Sequence, residues 1–298
     1  MILLAEPLAP AARAVLDPLG DVVEWDEARL GDAEAVVTGL EVHLQKPLLD
    51  RMPRLRVIAS RTSQLRHLDV DEARRRGIDV LSIEPDAPAL QETSSTAEET
   101  WALVLALARN VPWAFEAIKE ERWERRRYGG HELKGKTLGV IGYGRLGRMV
   151  ADYARAFGMH VLVTDPNEDG VSLDELLRES DVVSVHCTFD DSTRGMLREE
   201  HFRAMKPTAY FVNTARGEIT DENALLRALR ERWIAGAAVD TLAGEEADGG
   251  HLRGNELVDH ARTHENLIVL PHLGGATEEA TERTQVYIAQ KLAAWLRA

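Results

Sequence analysis

The sequence predicts an α/β protein built on two doubly wound parallel sheets. Three observations carry that expectation. Short apolar runs alternate with amphipathic helical patterns from end to end. The 298 residues suffice for about two domains. Gly142-Tyr143-Gly144-Arg145-Leu146-Gly147 lies directly behind the apolar run 138–141, where a strand of such a sheet turns into a helix.

Taken in order, strands are expected near 2–5, 22–25, 35–38, 56–59 and 79–82, with helices between them. One such helix spans 69–76 and is closed by Gly77 as a C-cap. Glu84-Pro85-Asp86-Ala87-Pro88 breaks the pattern and reads as a crossover between domains. Ser94-Ser95-Thr96-Ala97-Glu98 then carries N-cap signals, and a long apolar helix follows through Trp101, Leu103, Val104, Leu105, Leu107 and Ala108. The charged stretch 119–127 reads as a solvated helix face or arm. From Lys136 to about Pro271 strand–helix units repeat, with strands at 138–141, 161–164, 182–185, 210–213, 236–239 and 267–270. A final amphipathic helix covers 278–297. The expected division is 1–90 with 275–298 as one domain and 91–274 as the other.

Composition excludes several classes. With 44% hydrophobic and 29% charged residues the chain is an ordinary globular one. A net charge of −14 argues against nucleic acid or an anionic membrane as partner. No apolar stretch approaches the roughly 20 residues that cross a bilayer. Met1-Ile2-Leu3-Leu4 is soon broken by Glu6 and Pro7 and reads as a first strand, not a signal segment. The one cysteine, Cys187, follows an apolar run and is expected to be a buried, inert thiol; it fits a reducing cytoplasm. No Cys/His cluster has zinc spacing, so no metal is expected.

The glycine turn has a mechanism. Gly142 and Gly144 permit a tight turn and close backbone approach to a pyrophosphate, Gly147 lets the following helix pack on its strand, and the helix N-terminus offers N–H groups to phosphate. That helix is expected over 145–157, with apolar positions at Leu146, Met149, Val150, Tyr153 and Phe157. Asp165 closes the next strand, 23 residues after Gly142. A carboxylate there accepts from both adenosine ribose hydroxyls and repels a 2′-phosphate, so NAD is favoured over NADP.

Ligands of open α/β sheets bind beyond the carboxyl ends of the strands. The polar residues in such places are His186 and Thr188, Asn213, Thr214 and Arg216, Asp240, and His272, with Glu245 five residues past Asp240. Here Asn213-Thr214-Ala215-Arg216-Gly217, Gly236-Ala237-Ala238-Val239-Asp240 and Pro271-His272-Leu273-Gly274-Gly275 resemble signatures of the D-isomer-specific 2-hydroxyacid dehydrogenases, which include the 3-phosphoglycerate dehydrogenases. Trp123-Glu124-Arg125, Glu132-Leu133-Lys134-Gly135-Lys136-Thr137-Leu138-Gly139 and Asp221-Glu222-Asn223-Ala224-Leu225 extend the resemblance, which runs from about Pro53 to the last residue.

The resemblance implies a Rossmann cofactor domain inserted in a flavodoxin-like substrate domain, with closure between them excluding water. It implies an Arg–Glu–His catalytic set: Arg216, Glu245 (chosen over Glu246 by its distance from Asp240) and His272. It further implies cofactor contacts from Arg145 and Leu146 at the pyrophosphate, Asp165 at the ribose and Asp240 at the nicotinamide carboxamide, with Thr188, Ala215 and Gly274 lining the cofactor groove. His186 takes a structural role, and a homodimer forms through the Trp101 helix and the arm after it.

The residue types suit the chemistry independently. A guanidinium grips a substrate carboxylate and polarises the neighbouring carbonyl. The cofactor supplies hydride. An imidazole gives the nascent alkoxide a proton, and a nearby carboxylate orients it and favours its charged form.

Two stretches depart from the family pattern. After the strand 56–59 the family has a glycine-rich turn, whereas this chain reads Ser60-Arg61-Thr62-Ser63-Gln64-Leu65-Arg66-His67. Either Arg61 and the Ser63 backbone build a relocated or additional anion site for a doubly charged substrate, or Arg61 and Arg66 face solvent and only Thr62, Ser63 and Gln64 touch the ligand. The segment between Glu245 and His272 is longer than usual and lacks a proline after the glutamate. Its stretch 246–256 reads as a polar loop that shapes the substrate entrance or decorates the surface, with His251, His260 and His264 solvated. The regulatory C-terminal domain of some phosphoglycerate dehydrogenases is expected to be absent. Two other functions share the scaffold: oxidation of formate, phosphite or an aldehyde hydrate, and a non-catalytic NAD-sensing corepressor.

Overall fold

The computed structural model describes residues 1–65, 67–245 and 249–298. Among these, packing divides the chain into two units, Met1–Thr93 with Ala276–Ala298, and Ser94–Gly275. The change of unit follows a short helix, Pro88–Gln91, just after the proline-rich break.

The first unit pairs β1 (Ile2–Leu4), β2 (Val22–Glu24), β3 (Ala35–Thr38), β4 (Val57–Ser60) and β5 (Asp79–Leu81), all parallel, in the order β2-β1-β3-β4-β5. This is the flavodoxin-like order. Side chains alternate across the sheet. Leu3, Val36 and Ile58 face one core, while Ile2, Leu4, Ala35 and Val37 face the other. The second core is closed by the last helix, Glu278–Arg297, whose Ile288 and Leu292 are fully buried one turn apart. Each contributes about 2 kcal/mol by burial. That holds the terminal segment to a sheet far from it in sequence.

The second unit pairs β6 (Thr137–Ile141), β7 (His160–Thr164), β8 (Val182–Val185), β9 (Tyr210–Asn213), β10 (Gly236–Val239) and β11 (Leu267–Val269), all parallel, in the order β11-β10-β9-β8-β6-β7. The chain runs from β6 outward to β7, then returns past β6 to β8. The strand order therefore reverses beside β6, and ligands of such sheets bind at that kind of switch point. β8 and β10 are buried along their whole length, as both-face coverage by helices requires.

Two expectations about faces change. The helix behind the glycine turn, Arg145–Ala156, buries Gly147, Val150, Ala151 and Ala154. Of the large residues expected there only Val150 is fully buried; Leu146, Met149 and Tyr153 flank the seam, and Phe157, just past the helix end, is 45% exposed. Small residues take the centre because the helix approaches the strand closely: a Cβ on Gly147 would lie 2.1 Å from the Gly142 carbonyl oxygen. His260 is not solvated. It lies on the helix Glu256–Ala261, shares its buried face with Leu257, and places Nε2 2.8 Å from Asn266 Oδ1. Its ring stacks on the exposed His264 at 3.9 Å between centroids.

No helix among the described residues is long and apolar enough to cross a membrane.

Candidate active site

The glycine turn follows β6. Gly142 takes φ +90°, and a Cβ there would lie 2.4 Å from the Cys187 amide nitrogen, just past β8. Two chain segments thus meet at the switch point without side-chain bulk. Nothing lies within 4 Å of a Cβ built on Gly144, so that side of the turn is open. The helix beginning at Arg145 has Gly144 as N-cap, and no side chain caps it. Arg145 and Leu146 are half-buried at its first turn, and burial pushes the Arg145 guanidinium below its ordinary value.

Asp165 follows β7. Its Oδ1 accepts from the Asn167 N–H at 2.9 Å and its Oδ2 from the Tyr143 N–H at 2.7 Å. The Asn167 N–H is the strongest influence; with Tyr143 and the Arg148 charge it outweighs partial burial and holds the carboxyl below the ordinary range. The group is an anion at neutral pH, fastened to the glycine turn. An NAD-type cofactor fits this arrangement: an open glycine turn at a helix N-terminus, and a fixed carboxylate acceptor one strand away.

Past β8, His186 Nε2 lies 2.7 Å from Ser184 Oγ. Burial lowers this imidazole to about 4, which keeps it neutral in a structural contact. Cys187 is half-buried, and burial pushes its thiol up to about 11, so it is a poor nucleophile. Thr188 is exposed, and its carbonyl accepts from the Thr193 hydroxyl at 2.9 Å.

Past β9, the buried Asn213 side chain organises the next turn. Its Oδ1 accepts from the Ala215 N–H at 3.0 Å, and its Nδ2 donates to the Arg216 carbonyl at 2.9 Å. Arg216 is half-buried, and its Nη1 donates to the Ala215 carbonyl at 2.6 Å. Gly217 matters in a way the sequence did not signal. A Cβ there would lie 2.2 Å from the Leu242 carbonyl carbon, so the arginine turn rests directly on the backbone leading to Glu245. Asp221 then caps the helix Glu222–Arg230 through the Asn223 and Ala224 N–H groups. Glu222 reaches back to accept from the Ala243 N–H at 2.6 Å, which fixes the same backbone.

Past β10 and β11 the remaining predicted residues come together. His272 Nδ1 lies 2.7 Å from Glu245 Oε2, and Glu245 Oε1 accepts from the Leu242 N–H at 2.9 Å. Burial pushes the Glu245 carboxyl up, but the bond to His272, its charge, the Leu242 N–H and the Arg216 charge together hold it below its ordinary value. Glu245 is therefore an anion at neutral pH, in contact with the imidazole. His272 itself takes φ +56°, an unfavourable left-handed conformation for a non-glycine residue. Asp240 imposes it. The Asp240 carbonyl accepts from the His272 N–H at 2.9 Å, while its side chain accepts from the Leu273 N–H at 2.7 Å and the Gly274 N–H at 3.0 Å. Gly274 is buried, and a Cβ there would meet Thr96 Cγ2 at 3.0 Å and Glu99 Oε2 at 3.1 Å. Glu246, the other glutamate considered, lies outside the described residues, as do Ala247 and Asp248.

The loop after β4 belongs to the first unit. Arg61 Nε donates to the buried Glu6 Oε1 at 2.6 Å. Gly39 makes room for this pair, since a Cβ there would lie 2.5 Å from Glu6 Oε2. Arg61 is thus already matched by an intrachain carboxylate. Thr62 Oγ1 donates to the Gln64 carbonyl at 2.8 Å and contacts Ser60 Oγ at 2.9 Å, which shapes the backbone of Thr62 and Ser63. Arg66 lies outside the described residues.

Comparison with known proteins extends the picture. The model of the D-isomer specific 2-hydroxyacid dehydrogenase NAD binding domain matches residues 101–274. A glyoxylate reductase of Aeropyrum pernix is 35% identical over 99% of this chain and 92% of its own length. A D-3-phosphoglycerate dehydrogenase of Methanocaldococcus jannaschii is 34% identical over 99% of this chain and 57% of its own. The crystal structure of a D-lactate dehydrogenase from Aquifex aeolicus, complexed with NAD and lactic acid, matches with a TM-score of 0.81 at 30% identity, over 100% of this chain and 96% of that one. Likeness of this extent, running through both units and the NAD-binding region, shows that the chain belongs to the D-isomer-specific 2-hydroxyacid dehydrogenases and is an NAD-dependent oxidoreductase interconverting 2-hydroxy and 2-oxo acids.

Proposed function

We propose that this enzyme reduces a small, singly charged 2-oxo acid of the glyoxylate type. The 2.7 Å contact between His272 and Glu245, beside the charge of Arg216, is the observation that carries the reading. Arg216 holds the substrate carboxylate and draws electron density from the carbonyl. NADH, when bound, supplies the hydride. His272 gives the nascent alkoxide oxygen a proton from Nε2, because Nδ1 is turned to Glu245. Glu245 keeps the ring in that orientation through the step. In oxidation His272 takes the proton back. Asp165 and the Gly142–Gly147 turn would hold the adenosine and pyrophosphate, and Thr188, Ala215, Asp240 and Gly274 would complete the cofactor contacts.

A singly charged substrate is favoured by the Arg61–Glu6 pair. A second substrate anion would have to compete with a buried carboxylate for that guanidinium. Similarity to the glyoxylate reductase of Aeropyrum pernix supports the same choice. We further infer a cytoplasmic homodimer, supported by the lone cysteine and by an apolar face discussed below.

The test is NADH oxidation across 2-oxo acids of graded side group: none, methyl, aromatic, carboxylate and phosphate-bearing. The expected optimum lies at the short, singly charged end, and Arg61→Ala leaves that ranking in place. A preference for doubly anionic acids that Arg61→Ala erases would contradict the proposal. Activity confined to donors without a 2-hydroxy carboxylate would contradict it too.

A further inference from the structure

The helix Ser95–Ala108 carries a carboxyl group in an unusual position. Glu99 Oε2 is buried, faces Gly274, and receives no hydrogen bond from any N–H or hydroxyl donor among the described residues. Gly274 brings it beside Asp240: a Cβ on Gly274 would lie 3.1 Å from Glu99 Oε2, and the Gly274 N–H donates to Asp240 Oδ2 at 3.0 Å. Two carboxylates cannot bond to one another unless one of them carries a proton. The backbone decides which. Asp240 accepts two N–H bonds, from Leu273 and Gly274, and these stabilise its anion. Glu99 Oε2 has none, so the proton belongs on Glu99.

We propose that Glu99 is a positioning residue: as a neutral acid it donates its proton to Asp240 and so fixes the carboxylate that holds the His272–Gly274 turn. The inference rests on the reading that Asp240 and His272 serve the cofactor and the reaction. It extends that reading to a residue on a different element. Asp240 binds the turn only while its side chain stays under the Leu273 and Gly274 N–H groups. A second negative charge at Glu99 would push it away and release the left-handed His272 backbone.

The surroundings allow such a proton to persist. Burial, then the Asp240 charge, raises Glu99 to about 8. Asp240 faces it from the end of β10, and His272 acts on Asp240 from the turn after β11. From the helix Arg145–Ala156, Tyr153 faces the neighbouring Glu98. From the end of β9, Thr214 faces Thr100 at 2.7 Å. The pair therefore holds one proton at neutrality and loses it in mild alkali.

The test uses the full chain with Glu99→Gln, whose amide donates at every pH, and Asp240→Asn. Infrared difference spectra of the cofactor-free protein should show a neutral-carboxyl band at about pH 7 that Glu99→Gln lacks and that fades between about pH 7 and 9. NADH affinity of the wild type should weaken about tenfold over that interval, while Glu99→Gln stays within about twofold. Absence of the band at neutrality overturns the proposal. So does an alkaline loss of affinity that Glu99→Gln retains while Asp240→Asn abolishes tight binding. Unchanged NADH binding in Asp240→Asn would instead remove Asp240 from the cofactor site. The band alone then judges the shared proton: its presence supports the proposal and its absence overturns it.

Discussion

At the scale of single residues, the proposed function makes His272 and Glu245, 2.7 Å apart, a unit in which the carboxylate's part is orientation. Glu245→Gln keeps the size and one hydrogen-bonding oxygen but removes the anion. We expect kcat to fall about 100-fold with a much smaller change in KM, because the interaction matters most when the imidazole carries its proton. Steady-state kinetics at neutral pH checks this, and an unchanged kcat would remove Glu245 from the mechanism. The sequence already named most residues of this candidate site. Arg216, Asp240 and His272 follow strands and sit in short motifs, and the acid at Asp165 has the spacing a ribose contact requires. Glu99 was not legible. Nothing in Thr96-Ala97-Glu98-Glu99-Thr100 says which of two adjacent glutamates points inward, and its partner Asp240 is reached only through the packing of helix on sheet. Gly217 and Glu222 were missed for the same reason, since both act on backbone that is distant in sequence.

At the scale of elements, alternation placed every strand of both sheets to within a residue or two. Face assignments were weaker. Periodicity marks the large apolar residues, but close helix–strand contact selects small ones, which is why Gly147, Ala151 and Ala154 displaced Leu146 and Met149 from the seam. His260 looked solvated because its neighbours are polar, yet a six-residue helix needs only two inward positions, and His260 is one of them. The loop after β4 has a measurable consequence of its own. His67 is 3% exposed, with Nε2 3.2 Å from Ser60 Oγ, and burial, then the charges of His43 and Arg61, lowers it to about 4. The unfolded chain binds a proton there near the ordinary value of 6.5. Stability is therefore full above that value and is lost as pH falls towards 4, by at most about 3 kcal/mol. His67→Phe should flatten the acid slope of Tm in this window. A slope identical to wild type would show that His67 titrates normally.

At the scale of the whole molecule, the proposed homodimer needs an apolar surface, and the helix after the Trp101 helix carries one. On the helix Val111–Lys119, Val111, Phe115 and Ile118 recur on one face and are 54%, 60% and 50% exposed, and Trp123 just beyond is 84% exposed. Large apolar side chains clustered this way mark an association surface. Val111, Phe115 and Ile118 follow the Trp101 helix and Trp123 lies in the arm, the region that the family resemblance implies for a homodimer. The double variant Phe115→Asp, Ile118→Asp should sediment as a monomer where the wild type sediments as a dimer. A wild type that is monomeric at all concentrations would contradict the assignment.

In the proposed function His272 is the group that moves the proton in a cofactor-dependent reduction. The most direct measurement is NADH oxidation with glyoxylate by wild type and His272→Ala, with NADH binding to both measured in parallel. The wild type should turn over, the variant should lose at least about 100-fold in kcat, and its NADH affinity should stay within a few-fold of wild type. Turnover that survives His272→Ala would contradict the proposed function, as would tight NADH binding with no turnover of any 2-oxo acid.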